Sequence, residues 1–262
     1  MKLLVKLGGT LLDTPASRDA LAAQIASARS SGIQIVVVHG GGKQMTRYLT
    51  ERGVESKFVN GLRVTDPETI DAVLKVFAGT VNHELVAALN RAGALAVGLS
   101  GIDALLAEAV QMDPALGAVG RVTRSNPAVL NVLSENGFVP TVACVAGDRE
   151  GNIYNVNADQ MAVACAGAFA ATQLIFLTDV DGVLDAEHRP IPILTAAESR
   201  RLIDDGVATG GMQAKLNAAL AALEAGVGQV RIASGAAPGV LDRLMAGEGL
   251  GTRIVSAWEH AA

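Results

Sequence analysis

A chain of 262 residues has room for one large domain or two modest ones, with a sizeable core. Half of the residues are hydrophobic but only 3% are aromatic, so the core must be built from Ala, Val, Leu and Ile, and a net charge of −5 with so few stacking rings argues against nucleic acid as a partner. The two cysteines, Cys144 and Cys165, sit in apolar segments without a C-x-x-C pair or Cys/His cluster, so no zinc or other metal site is expected and both read as buried free thiols.

The chain starts with a short apolar strand over residues 2–7, KLLVKL, ended by Gly8-Gly9. A charge inside that run and the glycines after it do not fit a secretion signal, and no uninterrupted apolar run reaches the ~18 residues of a membrane span; a cytoplasmic protein without membrane contact is expected. A helix over 15–31, with Pro15 near its start and Gly32 as its stop, leads to a buried strand over 33–38 and then to Gly40-Gly41-Gly42. The strand–helix–strand order predicts a parallel unit. A helix over 43–52 follows.

Residues 54–66 read as a hairpin around Asn60-Gly61. Two helices are expected over 67–78 and 80–91, then a strand over 94–100, a second hairpin over 104–125, a helix over 127–136 and a strand over 138–143. A turn at residues 150–152 precedes a helix from Asn157. The remainder reads as a strand over 173–180, helices over 195–205 and 212–225, a strand over 229–234, a short helix over 237–245 and a last strand over 251–256. The pattern is that of an α/β protein with a mostly parallel central sheet and hairpin insertions in its first half.

Four of these strands end in small residues: Gly8-Gly9-Thr10, Gly40-Gly41-Gly42, Ser100-Gly101 and Ser234-Gly235. Ligands of open α/β sheets bind beyond the carboxyl ends of the strands, and bare backbone there suits an anion such as phosphate. A P-loop ending at Lys43 would need Gly at 37 and Ser or Thr at 44, where Val37 and Gln44 stand; a dinucleotide fingerprint from Gly40 would need Gly at 45, where Met45 stands. Charged residues lie near the glycines. Lys6 interrupts a buried strand, Lys215 follows Gly210-Gly211 just inside a helix, Arg63 follows the Asn60-Gly61 turn with a fork suited to a carboxylate, and Asp159 sits in a first helical turn that favours negative charge. Taken singly, each also has a plain reading as a solvated or capping charge. His39 reads as a residue that orders its loop.

Seven segments, KLGGTLLD, VVVHGGGKQ, NGLRVTD, VGLSGID, NVNADQMA, LTDVDGVLD and GGMQAKLNAAL, stand in an order that resembles the amino acid kinase family, over nearly the whole chain. NGLRVTD and NVNAD are similar to the branch that acts on N-acetyl-L-glutamate. The resemblance implies one domain over 1–262 with the carbamate kinase-like fold, a three-layer sandwich around an eight-stranded sheet. A lobe over about 1–143 would bind the acyl amino acid, and a lobe over about 144–262 would bind ATP, carried with Mg²⁺. It implies that Lys6 and Lys215 neutralise the phosphoryl group in transfer and that Asp159 holds both. Gly8, Gly9, Gly41 and Gly42 would surround the phosphate and the acceptor. Arg63 and Asn155 would hold the acceptor, and Asp179, Gly210, Gly211 and Met212 would lie near the nucleotide. A carboxylate acceptor is ionised at neutral pH, so no general base is required.

Lys43-Gln44 departs from the Pro-Gln of many members. The start at the first strand, without the extra N-terminal helix of arginine-inhibited members, suggests an arginine-insensitive homodimer. N-Acetyl-aminoadipate or N-succinylglutamate as acceptor, and a non-catalytic sensor of an amino acid or nucleotide, remain the alternatives.

Overall fold

The computed structural model describes residues 1–257. Its frame is one sheet of eight strands: β1 (Lys2–Leu7), β2 (Gln34–His39), β3 (Ala96–Ser100), β4 (Val139–Ala143), β5 (Gln173–Thr178), β6 (Ile193–Thr195), β7 (Gln229–Ser234) and β8 (Thr252–Val255), in the spatial order β6-β8-β7-β5-β1-β2-β4-β3. From β7 to β3 every pairing is parallel; β8 runs antiparallel to β7, and β6 runs parallel to β8. β1 and β5 meet at the centre, buried almost throughout, which is why their sequences are continuous apolar runs rather than alternating ones. The four strands before residue 144 form one half of the sheet and the four after it form the other.

Helices cover both faces. Pro15–Ser30 packs with Asn82–Arg91 and Val240–Met245, while Ala158–Phe169 packs with Gly210–Glu224, which in turn contacts Ala196–Asp204. Because the six parallel strands point the same way, the ends of β1, β2, β3 and β7 fall along one edge, as their glycine-rich endings predict.

Local chemistry accounts for the smaller elements. Phe58–Val59 and Leu62–Arg63 form the first hairpin, and Asn60 and Gly61 both take the positive φ that its two-residue turn demands. The helices expected over 67–78 and 80–91 are one helix, Pro67–Arg91, opened by Asp66 capping the Thr69 amide at 2.8 Å. Gly79 does not break it, because Val76, Phe77 and Val81 on either side are packed in the core, and the stretch Leu74–Val81 is π-helical. This helix is long and apolar enough to cross a membrane by composition, but half of its most apolar stretch is buried against the sheet.

The second hairpin and the turn at 150–152 belong to one closed four-stranded barrel, made of Ala107–Gln111, Val119–Ser125, Val145–Gly147 and Ile153–Val156. β6 is absent from the sequence reading; it is three residues long and runs directly into the capping box of Thr195 and Glu198. Both cysteines are buried and free, and burial pushes their thiols up to about 12.

Candidate active site

The site begins with a charge in the wrong place. Lys6 lies on β1 between Val38 of β2 and Phe176 of β5, 8% exposed. A lone ammonium there would be costly. Its Nζ lies 2.7 Å from Oδ1 of Asp159, which is 7% exposed. Asp159 stands in the first turn of the helix Ala158–Phe169, whose cap Asn157 accepts from the Asp159 and Gln160 amides at 2.9 and 3.2 Å. The helix N-terminus favours the carboxylate. Its Oδ1 receives no well-aimed hydrogen bond, so the pair is an ionic contact that leaves acceptor capacity open.

Asp159 shares a cleft of about 1040 Å³ with Lys215, Gly210 and Gly211, and the tip of the first hairpin, Asn60-Gly61-Leu62, forms the facing wall with Arg121. Lys215 is half-buried, and among the described residues its ammonium pairs with no carboxylate. The helix that carries it, Gly210–Glu224, begins without a side-chain cap. The Met212 and Gln213 amides turn back to the Thr209 carbonyl, at 3.1 and 3.3 Å, which leaves the amides of Gly210 and Gly211, both on the cleft wall, without partners among the described residues.

The two glycine loops abut. A side chain at Gly9 would meet the Gly42 nitrogen at 3.1 Å, and one at Gly40 would meet Ala158, the first residue of the Asp159 helix. Gln44 ties the loops by donating to the Gly9 carbonyl at 3.3 Å. Their glycines have different causes. Gly41 is small because Phe77 and Val81 fill the space beside it. Gly42 has open space around it and no positive φ, and the same holds for Gly211. Nothing in the protein itself requires glycine at those two positions; Gly211 lines the cleft, and Gly42 lines a separate groove beside Arg63. The Gly8 amide is taken by the Leu177 carbonyl at 2.9 Å, so the donors left are those of Gly9, Gly41 and Gly42. Gly101 and Gly235, read from the sequence as further ligand loops, are small for packing. Their amides bond Val145 and Thr178 carbonyls, and side chains there would collide with Val145 and Leu11.

Arg63 is 8% exposed, yet its partners are neutral: Ser56 Oγ, the Gly42 carbonyl at 3.2 Å, Thr46 Oγ1 at 2.9 Å and the Phe58 ring at 4.6 Å. Burial lowers its pKa, and among the described residues no carboxylate balances the charge. It opens on a groove of about 600 Å³ beside Lys43 and Arg47. Asp13 and Glu51 line the same groove, but Asp13 pairs with Arg47 at 2.9 Å, and the direct partners of the Arg63 fork are all neutral, which leaves it able to take an anion. Asn155 donates to Thr65 Oγ1 at 3.1 Å, and Thr65 donates to the Arg63 carbonyl at 2.8 Å, so Asn155 is braced against the Arg63 strand.

His39 is fully buried, and burial pushes it down to about 4 despite its hydrogen bond to Gly40. It is neutral and fully engaged at neutral pH. Asp179 is exposed just past β5, bonded to Thr178, and Met212 is half-buried and packs on the core rather than on the cleft wall. Thr46 and Ser56, which bond Arg63, and Asn82, whose amide nitrogen lies 2.9 Å from His39 Nε2, carry no sequence signal that singled them out. Gln44 stood in the glycine motif, although its spacing gave no hint of the bridge.

The chain matches the amino acid kinase family over residues 1–234. It is 76% identical over 257 residues to a protein named acetylglutamate kinase from Solibacter usitatus (strain Ellin6076), covering 98% of this chain and all of that one. It is 42% identical over 267 residues to another of that name from Rhizobium etli, covering 97% and 90%. Among solved structures it resembles the N-acetylglutamate synthase of Neisseria gonorrhoeae complexed with coenzyme A and N-acetyl-glutamate, with a TM-score of 0.87 and 28% identity; the match covers 98% of this chain and 60% of the synthase chain. Giardia carbamate kinase shares the fold, with a TM-score of 0.71 at 16% identity over 98% of this chain and 99% of that one.

Proposed function

The chain belongs to the amino acid kinase family, and from that premise we infer that it is an ATP-dependent kinase that phosphorylates the side-chain carboxylate of N-acetyl-L-glutamate, yielding ADP and the acyl phosphate, a step of arginine biosynthesis. One observation carries the local chemistry: Asp159 touches Lys6 and shares its cleft with Lys215. Phosphoryl transfer between two anions depends on positioning and charge neutralisation. Lys6 and Lys215 offset the charge on the transferring group; Asp159 sets the placement of Lys6 alone, not of both lysines as the resemblance implied. MgATP enters as the substrate, its Mg²⁺ arriving with the nucleotide.

The acceptor is held chiefly from the first half of the chain, with Arg63 taking its α-carboxylate, and Asn155 reaches it from the second half. Gly9, Gly41 and Gly42 present amides, and Gly8 lets β1 turn into them. Gly210 and Gly211 face the phosphates, with Asp179 flanking the nucleotide, while Met212, packed on the core, supports the turn from beneath rather than touching it. The lobes of this reading divide near residue 143, where the sheet divides into its two sequence halves. The acceptor arrives ionised, so the absence of a titrating base in the site is no obstacle; His39 is neutral and occupied. The chain acts in the cytoplasm as a homodimer in this reading. The partly exposed Ile70, Leu74 and Ala78 on the apolar helix Pro67–Arg91 supply a dimer surface that sedimentation would test.

The deciding experiment measures ADP release from MgATP with N-acetyl-L-glutamate, N-succinylglutamate, N-acetyl-aminoadipate and glutamate in parallel, with hydroxylamine trapping the acyl phosphate. Preference for N-acetyl-L-glutamate is expected. Preference for another acyl acceptor would replace the substrate and keep the lysines. Nucleotide binding without turnover on any acceptor would turn the reading into a sensor.

A further inference from the structure

Under the glycine loop lies a buried polar network that the reaction itself does not use. His39 Nδ1 is 2.8 Å from the Gly40 carbonyl oxygen, and Nε2 is 2.9 Å from Asn82 Nδ2. An amide nitrogen can only donate, so Nε2 accepts and the ring hydrogen sits on Nδ1, donating to Gly40. The second Asn82 hydrogen goes to the Thr141 carbonyl at 2.9 Å. Asn82 is 2% exposed, and its side-chain oxygen occupies the space where a side chain at Gly98 would stand. Helix, β2, β3 and β4 thus meet on one amide.

The peptide that follows is trans, as are all peptide bonds among the described residues. In a trans peptide the carbonyl and the next N–H point in opposite directions. Holding the Gly40 oxygen down on His39 therefore turns the Gly41 N–H away from the core, at the uncapped start of the helix Gly42–Thr50. Gly41 is also clamped from the side by Phe77 and Val81, the latter directly before Asn82. The π-helical stretch thus supplies the steric wall, and the residue after it supplies the hydrogen bond.

We propose that His39 and Asn82 are positioning residues that aim the Gly41 amide into the site, acting on turnover through the loop without touching either substrate. An apolar pair would fill the same space without needing to satisfy four polar groups. The proposal rests on the kinase reading, in which the Gly41 amide meets the transferring phosphate or the acceptor carboxylate.

Two substitutions separate the bonds. In His39→Asn the amide nitrogen stands near the Nδ1 position and keeps the donation to Gly40. In His39→Gln the amide reaches the Nε2 position, where its oxygen accepts from Asn82, and the Gly40 bond is lost. H39N is expected to retain turnover within about fivefold. H39Q is expected to lose kcat on the order of 10²-fold, the typical effect of losing one preorganised donor, with KM for ATP unchanged. The Gly41 amide resonance of ¹⁵N-labelled protein is expected to move on adding N-acetyl-L-glutamate and MgADP in wild type and H39N, and to stay in place in H39Q. This second measurement needs no turnover. Thermal melts establish that each variant is folded; if H39N is not, wild type stands for it, and if H39Q is not, Asn82→Leu, which removes the donor to Nε2 and so no longer fixes the ring hydrogen on Nδ1, takes its place and is expected to behave as H39Q. Equal kcat in folded H39N and H39Q, or a Gly41 resonance that is unmoved in wild type, overturns the proposal alone. Wild-type protein without turnover on any acceptor overturns the kinase reading, and the proposal with it.

Discussion

Lys6 Nζ and Asp159 Oδ1 face each other at 2.7 Å across the junction between the first strand and a helix from the second half of the chain. Both are nearly buried, so each is the other's main compensation. Breaking a buried pair by removing one partner costs about 3–5 kcal/mol, while removing both costs less than the sum. Asp159→Asn should therefore destabilise the fold by about 3 kcal/mol in urea denaturation. The double variant with Lys6→Met should recover part of that loss. Strict additivity of the two single effects would mean that the pair contributes nothing as a pair.

Among the described residues Lys215 has no such partner. Lys215→Ala should leave the unfolding midpoint almost unchanged and reduce kcat on the order of 10³-fold, with KM for ATP moving by less than about threefold. Steady-state kinetics with a melt on the same sample checks both halves.

Arg63 should be sensitive to shape as well as to charge. Arg63→Lys keeps the cation but cannot bond Ser56, Thr46 and the Gly42 carbonyl together. KM for N-acetyl-L-glutamate should rise about 10- to 100-fold, with KM for ATP within about twofold. An equal rise for both substrates would disconnect Arg63 from the acceptor.

Gly42 and Gly211 have free space around them in the protein, so alanine there should be tolerated by the fold. The expected change in unfolding free energy is under ~1 kcal/mol, in the stabilising direction for a helix. Activity should nevertheless fall at least about tenfold if, as the kinase reading has it, ligand groups approach both glycines. Full activity in Gly42→Ala would remove Gly42 from the site.

His39 also makes a statement about acid stability. Its folded pKa lies near 4, below the ordinary 6.5, because burial disfavours the charged ring. Between those values the unfolded chain binds a proton that the folded chain refuses, so stability falls as pH drops from about 6.5 towards 4, by about 3 kcal/mol across the window. Above pH 7 the effect vanishes. Unfolding free energies of wild type and H39N against pH should converge as the pH falls through that range.

Much of the frame can be read from residues alone. β1 and β5 are apolar because they are buried on both faces, and Asn60-Gly61 marks a turn because both φ values must be positive. The barrel is not legible, since its strands are short and a pairing such as Glu108 with Gly147 links residues far apart in sequence. Gly79 looks like a helix break until the packing of its neighbours is known. The glycines are the instructive case. Gly42 and Gly101 look equivalent as letters at strand ends, but one has open space beside it and the other is small for the Val145 carbonyl. Arg63 and Asp159 stand out by type and context, whereas the hydroxyls around Arg63 and the amide beneath His39 come from segments with no local signal.

The pairing of β1 with β5 has a consequence for how the chain can be divided. Both strands are buried, and they form the seam between the two sequence halves of the sheet. Separated at that seam, each half would present a long, apolar, unpaired edge strand, the feature that drives edge-to-edge aggregation. The halves are therefore not exchangeable modules. Grafting the second half onto another acceptor-binding half would succeed only if the donor's first strand reproduced β1 in length and register, so new specificities in this architecture have to arise by substitution within one continuous sheet.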